Sequence, residues 1–317
     1  MPAIIFVSLS TSSRAYLHIH ICVVLWGFTA IFGELITLDA LALVWWRMLI
    51  VVVALLLLPR VRRQLRNMGW RLIGTYAAIG LLVSMHWLLF YSAIKLANAS
   101  VGAICMAVAP VFLALIEPRV VGRPFNPREL LLGIGIVPGI ALIVGGIPHG
   151  MYLGLAVGLL SAVFVAAFSA CNKRMVEHAG PLAVTRIELG AGTLFLTLLS
   201  PVLPHAGPAI PLPDWHNAWM LLVMALGCTL LPFALILKAL RHVSAFATQI
   251  ATNLEPVYAI ILAIVLLGEQ REVGPLFYVG VVVVIGSVIA HPVLSRQRMP
   301  KPDKAVLGTA EAHNVAK

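Results

Sequence analysis

The chain has 317 residues, of which 61% are hydrophobic and only 11% are charged. Soluble domains carry about 25% charged residues, so this composition excludes an ordinary soluble protein. The formal net charge is +10 at pH 7, but the basic residues fall between apolar runs, which favours a membrane protein over a nucleic-acid-binding one.

A helix that crosses a bilayer needs about 20 apolar residues. Ten such runs, joined by short connections rich in proline, glycine and charge, are predicted helices 1 to 10: 16–35, 40–58, 72–93, 99–117, 130–147, 152–172, 181–200, 217–237, 244–267 and 274–292. The predicted fold is therefore an all-α integral membrane protein. The four cysteines lie in apolar runs without CxxC spacing, so we expect no disulfide, metal or cofactor.

The lysines and arginines predict the orientation of these helices, because they accumulate in cytoplasmic segments. With the N-terminus inside, 18 of the 22 basic residues fall on the inner side, and Lys95 and Arg271 fall outside. Arg47 and Arg186 lie within predicted helices. The segregation predicts ten helices with both termini in the cytoplasm.

Two stretches of the sequence repeat each other. NASVGAICMAVAPVFLALIEPRVVG aligns with SAFATQIATNLEPVYAIILAIVLLG, so that Pro110 matches Pro256 and Gly122 matches Gly268, each pair 146 residues apart. Five helices per unit is an odd number, so the two units must be inverted, as in many transporters. The predicted organisation is a tail (1–15), two five-helix units (16–147 and 148–292) and a cytoplasmic basic tail (293–317).

The same stretches, together with LWGFTAIFG, WWRMLIV and HWLLFYSAIK, resemble the drug/metabolite transporter (DMT) superfamily, specifically its EamA-type members. The resemblance implies a central cavity lined by predicted helices 1, 3, 4, 6, 8 and 9, with 5 and 10 at the periphery. It also implies export or exchange of amino acids or similar metabolites. The first unit departs from the pattern, since Arg123 stands where Glu269 stands in the second.

Predicted helix 9 carries a polar stripe, which must face protein or water because lipid cannot satisfy it. Its members are Thr248, Gln249, Thr252, Asn253 and Glu255. A carboxylate at membrane depth costs about 2.5–3.5 kcal/mol, so we expect Glu255 to bind substrate or a coupling proton. The alternative is a structural ion pair with an intramembrane arginine.

Pro110 and Pro256 each lie inside a predicted helix. Each removes an amide donor and frees the carbonyl four residues earlier, at Met106 and Thr252. Paired breaks in corresponding helices predict a binding site or gate. The alternative is a kink that serves packing alone.

Aromatic residues form a second set of candidates. His86, Trp87 and Tyr91 lie on predicted helix 3, where the spacing of Trp87 and Tyr91 places both rings on one face. They are predicted to stack on substrate, with His86 as a proton relay, unless they form an interfacial belt. Trp26 of helix 1, and Phe168 and Asn172 of helix 6, are further cavity candidates.

The remaining intramembrane charges are Arg47, Arg186 and Glu188. Arg47 and Arg186 match each other in the repeat, since each is a lone arginine near the start of its apolar run. An arginine within the bilayer needs a partner or a route to the interface, so each serves either structure or substrate binding and gating. Glu188 cannot share a helix face with Arg186 and is expected to contact another helix. GxxxG spacings at Gly135 and Gly139, and at Gly154 and Gly158, predict close internal helix packing.

These patterns predict a secondary transporter that exports or exchanges a small organic metabolite by alternating access in the inner membrane, if the source is bacterial. Its expected partners are a small-molecule substrate, the bilayer and possible coupling protons, with the protein acting as a monomer and binding no nucleic acid. No HExxH, Walker or credible GxSxG motif predicts an enzyme. A non-transporting sensor or a membrane-embedded enzyme stays the alternative.

Overall fold

The computed structural model describes residues 11–127, 130–131, 135–203, 207–244, 248, 251–252 and 254–294. Throughout this part of the chain the regular secondary structure is helical. Six helices are long and apolar enough to cross a membrane, and a bent pair is a seventh candidate. The other three predicted helices correspond to shorter apolar helices, so the count of ten stays a prediction.

The helices follow the predicted order. They are α1 (Thr11–Leu35), α2 (Ala40–Leu56), α3 (Pro59–Arg66), α4 (Trp70–Leu96), α5 (Ala99–Met106), α6 (Ala109–Val121), α7 (Val137–Gly146), α8 (Tyr152–Met175), α9 (Pro181–Leu199), α10 (Trp215–Ala225), α11 (Leu231–Ala239), α12 (Glu255–Leu262) and α13 (Pro275–Leu294). A π-helical turn, Leu226–Leu230, joins α10 to α11, and a second, Ala263–Leu267, follows α12.

The structure corrects two of the predicted boundaries. Helix α1 begins at Thr11, within the predicted tail, because its buried face already includes Ala15 and Ile19. The basic connection after α2 is not a loop: it forms α3, bent by 89° from α2, with Val61 buried and its arginines exposed. An amphipathic helix of this kind fits a membrane interface.

The two intramembrane prolines break their helices in the same way. Before Pro110 the amide of Val108 bonds back only three residues, to Cys105, and before Pro256 the amide of Leu254 does the same to Ala251. Each broken segment then ends at a glycine in the left-handed region, Gly122 with φ 80° and Gly268 with φ 74°. The helix is therefore interrupted before each of the two matched prolines.

The helix contacts have the symmetry expected when two units exchange places. Helix α4 packs against α8, and its counterpart α11 packs against α1. Likewise α6 and α5 contact α8, while α12 contacts α1. Helices α2 and α9 pair with each other, and so do α7 and α13.

Glycines permit the closest of these approaches. A side chain at Gly139 of α7 would collide with Val284 and the backbone of Gly280 in α13. A side chain at Gly154 of α8 would meet Ala97 and the carbonyl of Ala93 in α4. Gly139 and Gly154 therefore serve helix packing within the chain.

Candidate functional site

One large cavity lies at the centre of the helix bundle. It encloses about 960 Å³, counting the open space at its mouth. Its walls come from α1, α4, α5, α8, α11, the π turn before α11, and the stretch that leads into α12. The described side chains of α7 and α13 contribute no wall residue, in agreement with the expected periphery. Helix α2 contributes Arg47, which the expectation from the family resemblance omitted.

The structure brings most of the predicted binding residues together at this cavity. Eight of them line it: Trp26, His86, Trp87, Tyr91, Phe168, Asn172, Thr252 and Glu255. Gln249 and Asn253 lie outside the described residues. Pro110 and Pro256 are buried at the helix breaks and are not wall residues.

Arg47 is the most closely held side chain in the cavity wall. It is only 2% exposed, and its guanidinium carbon lies 4.1 Å from the centre of the Trp87 ring. Its nitrogens donate to the hydroxyls of Tyr91 and Thr229, both at 2.5 Å. These partners are neutral, and no carboxylate of a described residue lies within 4.0 Å of the guanidinium. Among the described residues, the guanidinium is therefore held by neutral partners rather than by an ion pair.

The backbone around Thr229 explains how Arg47 is accommodated. Pro232 has no amide hydrogen, so the carbonyl of Cys228 lacks its usual helical partner. That carbonyl accepts a bond of 3.4 Å from Arg47, while the hydroxyl of Thr229, in the π turn, donates to the carbonyl of Met224 in α10. Sequence reasoning missed this arrangement, and the proline inside predicted helix 8 was the signal that could have revealed it.

Glu255 lies at the first position of α12, directly after the break, and faces the same cavity. It forms no ion pair within 4.0 Å with any described residue. The predicted structural pair with Arg47 or Arg186 is therefore not formed in this part of the chain. The carboxylate and the guanidinium instead line one space as separate charges.

The aromatic candidates form the apolar part of the wall rather than an interfacial belt. Trp87 packs edge-on against Phe233, with ring centres 6.3 Å apart, and Phe168 lies 5.5 Å from the ring of His86. The Nδ1 atom of His86 lies 2.8 Å from the Ser161 hydroxyl, which itself donates to the His86 carbonyl. This pairing fixes the orientation of the imidazole at the cavity surface.

The other two intramembrane charges lie away from the cavity. Arg186 is half-buried near the start of α9 and does not line the cavity. Its environment therefore differs from that of Arg47, its counterpart in the repeat. Glu188 is fully buried behind the wall. The match between the two arginines in the sequence therefore does not extend to their environments.

The cavity combines a fixed cation on an aromatic face, a separate carboxylate and apolar walls. Such a surface binds an amphipathic molecule through charge and stacking. Within the described residues no group of three or more histidines, cysteines and acidic residues could hold a metal ion.

Comparison with known proteins agrees with this architecture. Over 274 residues the chain is 24% identical to an uncharacterized transporter of Clostridium kluyveri, covering 82% of this chain and 86% of that protein. A solved structure, titled only as the crystal structure of a protein, superposes with a TM-score of 0.65 at 14% identity, covering 89% of this chain and 99% of the other, and so supports the fold alone.

A family model matches both halves of the chain. The sequence model of the EamA-like transporter family matches twice, at residues 13–145 and 152–291, which nearly coincide with the two predicted units. Because these matches cover most of the chain, this multi-pass integral membrane protein belongs to the EamA-like transporter family, within the DMT superfamily.

Proposed function

We propose that this chain is a secondary transporter of the cytoplasmic membrane that exports or exchanges a small amphipathic metabolite, with amino acids as the leading class. The observation that carries the proposal is the pair of separate opposite charges in one central cavity. Arg47 offers a cation that its neutral partners leave uncompensated, and Glu255 offers a carboxylate outside any ion pair with a described residue.

This arrangement suits a zwitterion better than a simple ion. The substrate carboxylate would bind Arg47, whose guanidinium holds planar anions in a bidentate geometry. The substrate ammonium would bind Glu255, and the apolar part would pack on Trp87, Phe168 and Phe233. A substrate with both charges neutralises both protein charges, so little desolvation energy is left uncompensated.

The paired helix breaks support alternating access. Two inverted units, each with a proline break beside the cavity, give two hinges related by the repeat. In this proposal the cavity opens to one side of the membrane at a time, with both termini in the cytoplasm. Reporter fusions after Gly122 and at the C-terminus should both indicate the cytoplasm, and an external signal at either would overturn the orientation.

The binding proposal is tested by thermal-shift screening of the purified protein against the common amino acids and simple amines. We expect at least one zwitterionic amino acid to raise the melting temperature. Arg47→Gln should weaken that binding by about tenfold or more, which corresponds to about 1.4 kcal/mol. Arg186→Gln is the matched control, because Arg186 is the repeat counterpart outside the cavity, and it should bind normally. Equal effects from both variants would reject the assigned site.

Glu255 permits two versions of transport. If it takes up a proton during the cycle, proteoliposomes with Glu255→Gln should still exchange substrate but lose accumulation driven by a pH gradient. If it only holds the substrate ammonium, the same variant should lose exchange and accumulation together. Glu177→Gln, on an exposed turn, is the control. Unchanged transport at every pH would exclude both versions.

A further inference from the structure

Glu188 is a carboxyl group that the proposed transport site does not use. It lies in α9 with none of its surface exposed, at a point where α9 packs against α4 so closely that Gly80 has no room for a side chain. Neither of its carboxyl oxygens forms a hydrogen bond with a described residue. A buried carboxylate left in this condition is costly, so its surroundings decide which protonation state is stable.

No cation among the described residues compensates Glu188. Glu188 interacts electrostatically with Asn172 and Cys171 of α8 and with Tyr76 of α4. The Tyr76 hydroxyl is already engaged, since it donates to the carbonyl of Met175 at 2.8 Å. Arg186 is two residues away on the same helix and therefore lies on a different face of α9 from Glu188.

Arg47 of α2, the other buried arginine near this region, bonds to Tyr91 and Thr229. Lys238 of α11 is exposed, and α3 approaches the start of α9 through the neutral Gln64. Each element packed against α9 therefore leaves the carboxyl of Glu188 without a positive partner in the described structure.

The unusual feature is the match between Glu188 and Asn172. The amide oxygen of Asn172 is also buried without a hydrogen-bond donor among the described residues. All three oxygens are acceptors, and the side chains of Glu188 and Asn172 lie close enough to interact. An ionised carboxylate cannot donate a hydrogen bond, whereas a protonated one has an O–H donor.

We propose that Glu188 and Asn172 form a buried proton-binding site, in which the protonated Glu188 carboxyl donates to the amide oxygen of Asn172. One bound proton removes the buried charge and satisfies two oxygens at once. The site does not depend on the identity of the transported substrate.

Asn172 also gives this proton a route. It lines the central cavity and, on its other side, a small second cavity whose walls include Tyr76 and Val184. The second cavity has space for about one water molecule. A proton that leaves Glu188 therefore reaches cavity water by passing the Asn172 amide, which connects the proton-binding site to the substrate space.

Infrared spectroscopy of the purified protein near neutral pH tests the proposal. A protonated carboxyl gives a carbonyl-stretch band that shifts in D2O, whereas a carboxylate does not. We expect Glu188→Gln to remove one such band, while Glu272→Gln, the matched control at an exposed glutamate, removes none. Glu188→Gln closely resembles the protonated acid in shape and should keep the wild-type melting temperature.

A second variant keeps the test decisive if Glu188→Gln folds poorly. In Asn172→Leu the acid loses its acceptor, so its band should persist, move to higher frequency and exchange more slowly in D2O. A wild-type spectrum from which neither variant removes or shifts a band would overturn the proposal. That result would mean that Glu188 is ionised and that the Asn172 amide is turned so that its nitrogen donates to the carboxylate.

Discussion

The two ends of the helix bundle are related by the internal repeat, yet different side-chain contacts stabilise them. At the capped end (Asn98, Glu269 and Glu272), a carboxylate closes the start of α5. The oxygens of Glu269 accept from the amides of Ala99 and Ser100, each at 2.9 Å, and Glu269 is only 1% exposed. The second unit thereby caps a broken helix of the first.

The other end of the bundle, called here the cavity end, is defined by Asn172, Leu240 and Thr248. These cavity-lining residues lie near the ends of α8 and α11. Here the residue that matches Glu269 is Arg123, which cannot accept a bond from a helix amide. It pairs instead with Glu117 of its own unit, at 3.4 Å. The charge at this repeat position is therefore reversed between the two ends.

Other contacts are shared by both ends. Lys95 lies in the last turn of α4 and donates to the carbonyl of Ile36, just past the end of α1, at 2.5 Å. Its counterpart at the repeat offset of 146 residues is Arg241, which lies just after the end of α11. Arg241 donates to the carbonyl of Ala179, just past the end of α8, at 2.7 Å. A cation near the end of a helix is favourable in both places.

The comparison teaches that duplication supplies the common scaffold, while one exchange of acid for base makes the ends unequal. We expect the cap on α5 to stabilise its end of the helix bundle, with no equivalent at the cavity end. The predictions below test that asymmetry.

Removing the cap should have the largest effect. Glu269→Ala leaves two buried amides without an acceptor, which we expect to cost about 2–3 kcal/mol of stability. The melting temperature in detergent should fall clearly below that of Glu272→Ala, because Glu272 accepts only from the side chain of Asn98. Equal losses in the two variants would contradict the central role of Glu269.

The cap should depend on pH. Burial raises the pKa of Glu269 above that of an ordinary glutamate, although the bonds from Ala99 and Ser100 act in the opposite direction. The capped state therefore binds the Glu269 proton more tightly than a state in which this carboxyl is solvated, so its stability is greatest at low pH and falls as the pH rises through the raised pKa. A cysteine at the buried position Ser100 should thus react faster with a thiol reagent as the pH is raised, after correction for thiolate content. With Glu269→Gln added, this dependence should disappear, and a pH-independent rate in the parent would count against the cap.

The N-cap of α5 should contribute less. The side chain of Asn98 accepts from the amide of Val101 at 2.9 Å and donates to Glu272. Asn98→Ala should cost about 1 kcal/mol, and Asn98→Asp should restore the bond to Val101 while placing a second acid beside Glu272. Thermal melting of the two variants measures the difference, and no loss in Asn98→Ala would show that the capped end is held by Glu269 alone.

The contacts shared by both ends should matter least. Lys95→Met and Arg241→Met each remove a cation from a helix end and should cost about 0.5 kcal/mol apiece. Their effects on the melting temperature should be similar, since the two residues occupy matched positions. A much larger loss for one of them would locate an asymmetry beyond the exchange of Glu269 for Arg123.

Much of the candidate site could be predicted from the sequence. Lipid cannot satisfy the polar groups of an ionisable or aromatic residue inside an apolar run. Glu255, Trp87 and Tyr91 could therefore be assigned to protein-lined space. Arg186 and Glu188 followed the same rule, but they lie away from the cavity. The rule separates protein from lipid and does not distinguish one buried location from another.

The sequence alone determined the family, the apolar helices, the repeat and the two proline breaks, because hydrophobic length, turn glycines and missing amides act locally. Only the tertiary structure decided that Arg47 bonds to Tyr91 and Thr229, that Glu188 meets Asn172, and that Glu269 caps α5. Each of these contacts joins residues from different helices. Their approach depends on how closely glycines allow those helices to pack, which no single segment encodes.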